Sequence, residues 1–137
     1  MKFIKILTVF CALTYALVAH AGQSQPAEVA VDLTNLTASG DMLSARIDRD
    51  DDVFIGCGIR VFDDGAGGTF EFGFCQAEDN EGERAFCNTD SPGLLGAMKA
   101  TSDYSFVTFS WDADGICTRI GFSTQSFYLP NRRRGRR

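Results

Sequence analysis

Histidine is the absence with the widest consequences. The single histidine, His20, lies in an N-terminal leader that the pattern marks for removal, so the exported chain carries none. That excludes Ser-His-Asp triads, Cys-His dyads and histidine metal sites together. No Cys-x-x-Cys pair occurs either, so the usual thiolate spacing of a structural metal site is missing. Proline is scarce, and Pro26, Pro92 and Pro130 all fall where an element would start or stop. No apolar run beyond the leader is long enough to span a bilayer.

The leader itself has the three parts of a secretory signal. Lys2 and Lys5 form a basic start, Ile6 to Ala19 an apolar stretch, and Ala19-His20-Ala21 a small-x-small cleavage site before Gly22. The stretch is short for a membrane anchor, and Cys11 follows the bulky Phe10, which argues against a lipoprotein. Residues 1–21 are therefore read as a signal peptide, and the expected location is secreted or periplasmic. Removing 21 residues from 137 leaves 116, enough for one core and too few for two.

Charge is uneven along what remains. Of 13 basic residues, Lys2 and Lys5 leave with the leader, so 11 face 18 acidic ones. Five of those 11 lie in Arg132 to Arg137, which leaves an acidic body and a basic tail. Such a body does not bind nucleic acid through its surface. Residues 22–28 read as a disordered leader, 29–130 as a single β-rich domain, and 131–137 as a basic disordered tail.

Four cysteines remain after Cys11 is removed, and an even number in an exported chain points to two disulfides. Three connectivities are possible, and the preferred one is Cys75–Cys87, closing an acidic loop, with Cys57–Cys117 tying the central hairpin to the C-terminal strands. With every thiol oxidised, no cysteine nucleophile is left.

The centre of the chain is a hairpin. Val53, Ile55, Cys57, Ile59 and Val61 alternate on one strand, Asp63 to Gly68 supply turn chemistry, and Phe70, Phe72 and Phe74 alternate on the return strand. Val29 to Leu36 and Leu43 to Ile47 read as earlier strands, with a turn at Ser39-Gly40-Asp41. Asn35-Leu36-Thr37 matches a glycosylation sequon. A helix is expected within residues 88–101, with Asp90 or Ser91 as cap and Pro92 at its first position. Leu94, Leu95, Met98 and Thr101 would form its inward stripe. Tyr104 to Trp111 is an aromatic, β-branched strand, and Asp112 to Gly115 turns it into a last strand or pair of strands from Ile116 to Leu129.

This order predicts an all-β domain with one short helix: a small OB-like Greek-key barrel, with a β-sandwich as the alternative. Residues 85–130, where a helix with Leu94-Leu95 precedes an aromatic strand and Cys117, resemble small secreted bacterial proteins. The resemblance implies no activity and assigns no residues.

Asp48, Asp50 and Asp52 alternate like calcium ligands, but Val53 and Ile59 stand where an EF-hand needs glycine and a bidentate acid. Asp63 and Asp64 lie a strand's length away, so no metal site and no cofactor are assigned. Glu78, Asp79, Glu81 and Glu83 crowd one loop, a poor arrangement for two carboxylates that must flank a sugar. The aromatic surplus is the stronger signal. With Phe70, Phe72 and Phe74 lining the barrel, Tyr104, Phe106, Trp111, Phe127 and Tyr128 would sit partly outside as a binding platform. The expected function is a non-catalytic binding module for a glycan or a protein surface. The alternatives are a small carboxylate-dependent hydrolase, or an inhibitor presenting a disulfide-closed loop. Intact-mass analysis of exported protein should place the mature N-terminus at Gly22, and recovery of the full-length chain in a membrane fraction would count against cleavage.

Overall fold

A computed structural model describes residues 23–130. The proposed signal peptide, 1–21, and the arginine tail, 131–137, lie outside them. The order of elements is β1 (Ala30–Asp32), β2 (Thr37–Asp41), α1 (Met42–Arg46), β3 (Phe54–Asp63), β4 (Thr69–Glu78), β5 (Arg84–Thr89), α2 (Pro92–Ala100), β6 (Phe106–Trp111) and β7 (Cys117–Ser123). A single 3-10 turn, Ser126–Tyr128, follows.

The domain is mostly β, in two antiparallel sheets ordered β1-β2-β6-β7 and β3-β4-β5. Both sheets contribute to one buried cluster, with Ala38, Val107 and Phe109 from the first and Ile55, Cys75, Ala77, Ala85 and Cys87 from the second. A bridge between Asn88 and Ile116 brings β5 alongside the start of β7, but the sheets do not close into the expected barrel.

The early strands differ from the expected ones for a local reason. Asp32 accepts hydrogen bonds from the Thr34 and Asn35 backbone N–H groups at 3.0 and 2.8 Å and from the Asn35 side chain at 2.6 Å. This turns the chain inside the segment read as one strand, and Ser39 to Asp41 become part of β2 instead of a turn. Leu43 to Ile47 is helical, not extended. Asp41 caps α1 by accepting from the Ser44 N–H at 2.7 Å and hydroxyl at 2.6 Å, and its other bond, from the Ala27 N–H at 2.6 Å, secures the incoming chain. Residues 23–28 form no regular element, yet Gln25 and Ala27 are hydrogen-bonded to the body.

The central hairpin forms where expected, with Asp63 opposite Thr69. Asp64 accepts from the N–H groups of Ala66 and Gly68 at 2.8 and 2.9 Å, and Asp63 from that of Gly65 at 2.6 Å. Gly65 and Gly67 take the positive φ that this tip needs, at 75° and 91°. The Ala66 and Gly68 N–H groups hold the Asp64 carboxyl below the usual aspartate range.

The expected helix is present as α2. Leu95 and Met98 are buried and Leu94 packs against the core. They lie on Gly73 of β4, where an added Cβ would sit 3.0 Å from Leu95 Cδ2 and closer still to Met98. Glycine at 73 is thus what lets the helix lie on the sheet. Lys99 then reaches both carboxylate oxygens of Glu71, at 2.9 and 2.8 Å.

The disulfides are Cys57–Cys75 and Cys87–Cys117, with Cα separations of 4.0 and 5.1 Å. This corrects the expected Cys75–Cys87 and Cys57–Cys117 pairing. Cys75 faces Cys57 on one side and Cys87 on the other, and its sulfur bonds the former. Cys87 lies beside the β7 edge, where the Asn88 N–H donates to Gly115 O at 3.1 Å and brings Cys117 within reach. Closing spans of 18 and 30 residues contributes roughly 3 kcal/mol each in the loop-entropy model. Cys57–Cys75 links strands already paired along their length, whereas Cys87–Cys117 joins the two sheets. Cys87→Ala/Cys117→Ala should therefore lower the denaturant midpoint more than Cys57→Ala/Cys75→Ala, and the opposite order would contradict this arrangement.

Candidate functional site

Antiparallel pairing places directly opposite residues on one face of a sheet. In β3-β4-β5 the inner face carries Ile55, Cys57, Ile59, Gly73, Cys75, Ala77, Ala85 and Cys87. The same register sends Phe54 and Phe62 of β3, Phe70, Phe72 and Phe74 of β4, and Phe86 of β5 to the outer face. Phe70, Phe72 and Phe74 were expected to line a barrel, and the register puts them on the opposite side.

These rings form a continuous row. Phe62 stacks on Phe70 and Phe72 with centroids 5.1 and 6.0 Å apart, Phe72 meets Phe74 at 6.5 Å, and Phe74 stacks on Phe86 at 6.3 Å. Arg60 lies over Phe74 with its guanidinium carbon 4.9 Å from the ring centre. Phe74 covers Gly58, where a Cβ would come within 2.8 Å of the ring. Gly56 is open, so bare backbone forms the floor of a slot of about 390 Å³ bordered by Phe54, Phe74 and Gln76. A second cleft, about 410 Å³, lies along Phe70 and Phe72 beside Asn88, Asp90 and Ile116. Phe70 is 56% exposed and Phe86 55%, whereas Phe109 in the core is fully buried.

Of the five aromatics expected to form a platform, Phe106, Phe127 and Tyr128 are in ring contact. Tyr104 is exposed, with φ at 59°. Phe106 stacks on Tyr128 at 5.8 Å and Phe127 meets Tyr128 edge-on at 4.6 Å, but Tyr128 itself is buried. Trp111 packs inward on Phe109 at 5.6 Å. The outer face that sequence reasoning missed had a signal. Phe62 and Phe70, like Cys57 and Cys75, are equally distant from Ala66 at the hairpin tip, and such symmetric pairs lie directly opposite.

The acidic groups are occupied with local structure. Asp48 and Asp50 each accept from a backbone N–H two residues on, at 3.0 Å. Glu78 pairs with Arg84 at 2.7 Å and pushes that guanidinium's pKa up. Asp79 accepts from Glu81, Glu83 and Val31 N–H groups, each at 3.0 Å, which closes its loop and ties it to β1. These carboxylates stabilise turns, and Asp48 and Asp50 also line, with Asp51 and Arg46, a cleft of about 340 Å³. A compact group of metal-type ligand atoms does occur at Cys75, Cys87 and Cys117, whose sulfurs lie within 4.8 Å of one another, but all three are in disulfides. Among the described residues, no helix is long and apolar enough to cross a membrane.

Comparison with protein-family models, with curated proteins and with solved structures returns no match. The exposed phenylalanines and the core phenylalanine differ in what each contributes. Phe109→Ala should cost about 3–5 kcal/mol of stability by opening a cavity. Phe70→Ser/Phe86→Ser should cost about 1 kcal/mol or less, since both rings are largely in water already. Equal losses in thermal or denaturant unfolding would show that the outer row serves the fold.

Proposed function

We propose that this protein is an exported, non-catalytic binding module whose contact surface is the outer face of β3-β4-β5, and that it takes an apolar segment of another polypeptide. The observation that carries this reading is the row of touching rings from Phe62 to Phe86, in which Phe62, Phe70 and Phe86 are exposed and Phe72 and Phe74 half-buried. Large contiguous apolar patches on a folded surface mark interaction sites. Phenylalanine supplies area without hydrogen-bonding groups, which suits apolar side chains better than sugar hydroxyls. The open floor at Gly56 and the cleft beside Phe70 give such side chains places to enter.

Charge narrows the partner further. The described residues carry 18 acidic side chains against Arg46, Arg49, Arg60, Arg84, Lys99 and Arg119. An acidic surface disfavours nucleic acid and anionic lipid, and favours a partner segment with basic residues beside its apolar ones. Two disulfides agree with an oxidising compartment.

The test is a paired screen of the wild-type chain and Phe70→Ser/Phe86→Ser on peptide and glycan arrays. Apolar peptides with basic flanks should bind the wild type, and their signal should fall by about tenfold or more in the variant, equivalent to losing roughly 1.4 kcal/mol. Binding to glycans alone, or peptide binding that ignores the two substitutions, would refute the reading.

A further inference from the structure

The four cysteines occupy one row on the inner side of the β3-β4-β5 sheet. Cys57 is directly opposite Cys75, and Cys75 is directly opposite Cys87. Directly opposite residues generally have Cα atoms about 4.5–5.5 Å apart, inside the range a disulfide spans, and Cys57 and Cys75 approach to 4.0 Å. Cys117 joins the row from β7 through its bond to Cys87. The sulfurs of Cys75, Cys87 and Cys117 all lie within 4.8 Å of one another, so Cys75 has three possible partners, its bonded Cys57 together with Cys87 and Cys117, and Cys87 has two; of the new ones only Cys87 is directly opposite Cys75 in the sheet. Cys75, Cys87 and Cys117 are buried, whereas Cys57 is only partly so.

We infer that this row is a thiol–disulfide exchange site, entered by an external thiol at Cys57, with Cys75–Cys87 as its second pairing state. The thiolate of a small thiol such as glutathione attacks Cys57 Sγ. The Cys57–Cys75 bond breaks, its electron pair stays on Cys75, and Cys57 is held in a mixed disulfide. The buried Cys75 thiolate is poorly solvated and has the Cys87 sulfur within reach. Its attack forms Cys75–Cys87 and expels Cys117, which takes a proton from water. A second thiol releases Cys57 from the mixed disulfide. The balance is two thiols oxidised to one small disulfide, and one protein disulfide reduced to two thiols, at Cys57 and Cys117. The covalent link between the sheets is lost, and a link between β4 and β5 replaces it.

Native, oxidised protein recovered after export would be exposed to glutathione for graded times, quenched in acid, alkylated at low pH and mapped without reduction. The fraction that has gained two alkyl groups should carry them on Cys57 and Cys117 and yield a Cys75–Cys87 cross-linked peptide. Labels on Cys57 and Cys75 with Cys87–Cys117 intact would overturn the inference. So would labels on Cys87 and Cys117 with Cys57–Cys75 intact, or passage to four thiols with no two-thiol species. In Cys57→Ser, which starts with Cys75 unpaired, the single label should move to Cys117, and a label confined to Cys75 would overturn it equally. The wild-type mapping decides the matter by itself if that variant does not fold.

Discussion

Close approach of the two sheets is the constraint on which the rest of the structure depends. Where α2 and β7 meet the β3-β4-β5 sheet, its inner face is built from small side chains: Gly73, Cys75, Ala77, Ala85 and Cys87. Met98 and Leu95 fill the space that a larger residue at 73 would need, and the Cys87–Cys117 bond joins the sheets across the same region. Close packing leaves no volume there for a row of aromatic rings. The phenylalanines of this sheet therefore face outward because the inner layer is already occupied.

That arrangement divides the work of the side chains. Small residues, sulfur and the buried ring Phe109 hold the sheets together, while Phe54, Phe62, Phe70 and Phe86 are exposed. Aspartates take the remaining structural task. Asp32, Asp41, Asp64, Asp79 and Asp112 each accept backbone N–H groups at a turn or cap, so much of the acidic charge has a local architectural role. The same charge repels anionic surfaces, which agrees with the proposed polypeptide partner. Structure and proposed function thus share a cause in how few large side chains the interior can accept.

Some of this was legible in the residues alone. The central hairpin, its Asp-Gly tip, the helix stripe of Leu95 and Met98, and the aromatic strand ending at Trp111 all appear where periodicity and turn chemistry place them. The early strands were misplaced because Asp32 and Asp41 redirect the chain through side-chain hydrogen bonds that hydropathy does not register. Phe106 and Trp111 of the expected platform part for a related reason. Alternation sends Phe106 outward and Trp111, beyond an irregularity in the β6–β7 pairing, inward onto Phe109.

Alternation in the central hairpin has two apolar sets, Ile55-Cys57-Ile59 and Phe70-Phe72-Phe74, and each looks like a core face when its strand is read by itself. The sequence determined that these sets exist, that a tight tip joins their strands, and that sulfur lies among them. Pairing decided that they point in opposite directions. Residues symmetric about Ala66 lie opposite one another, so Cys57 meets Cys75, Phe62 meets Phe70, and the odd-numbered and even-numbered residues of the two strands take different faces. Which of those faces was buried, and which cysteine each sulfur bonded, depended on contacts with α2 and β7, far away in the chain. Local patterns carry no information about such contacts, because their energy exists only once the two sheets have met.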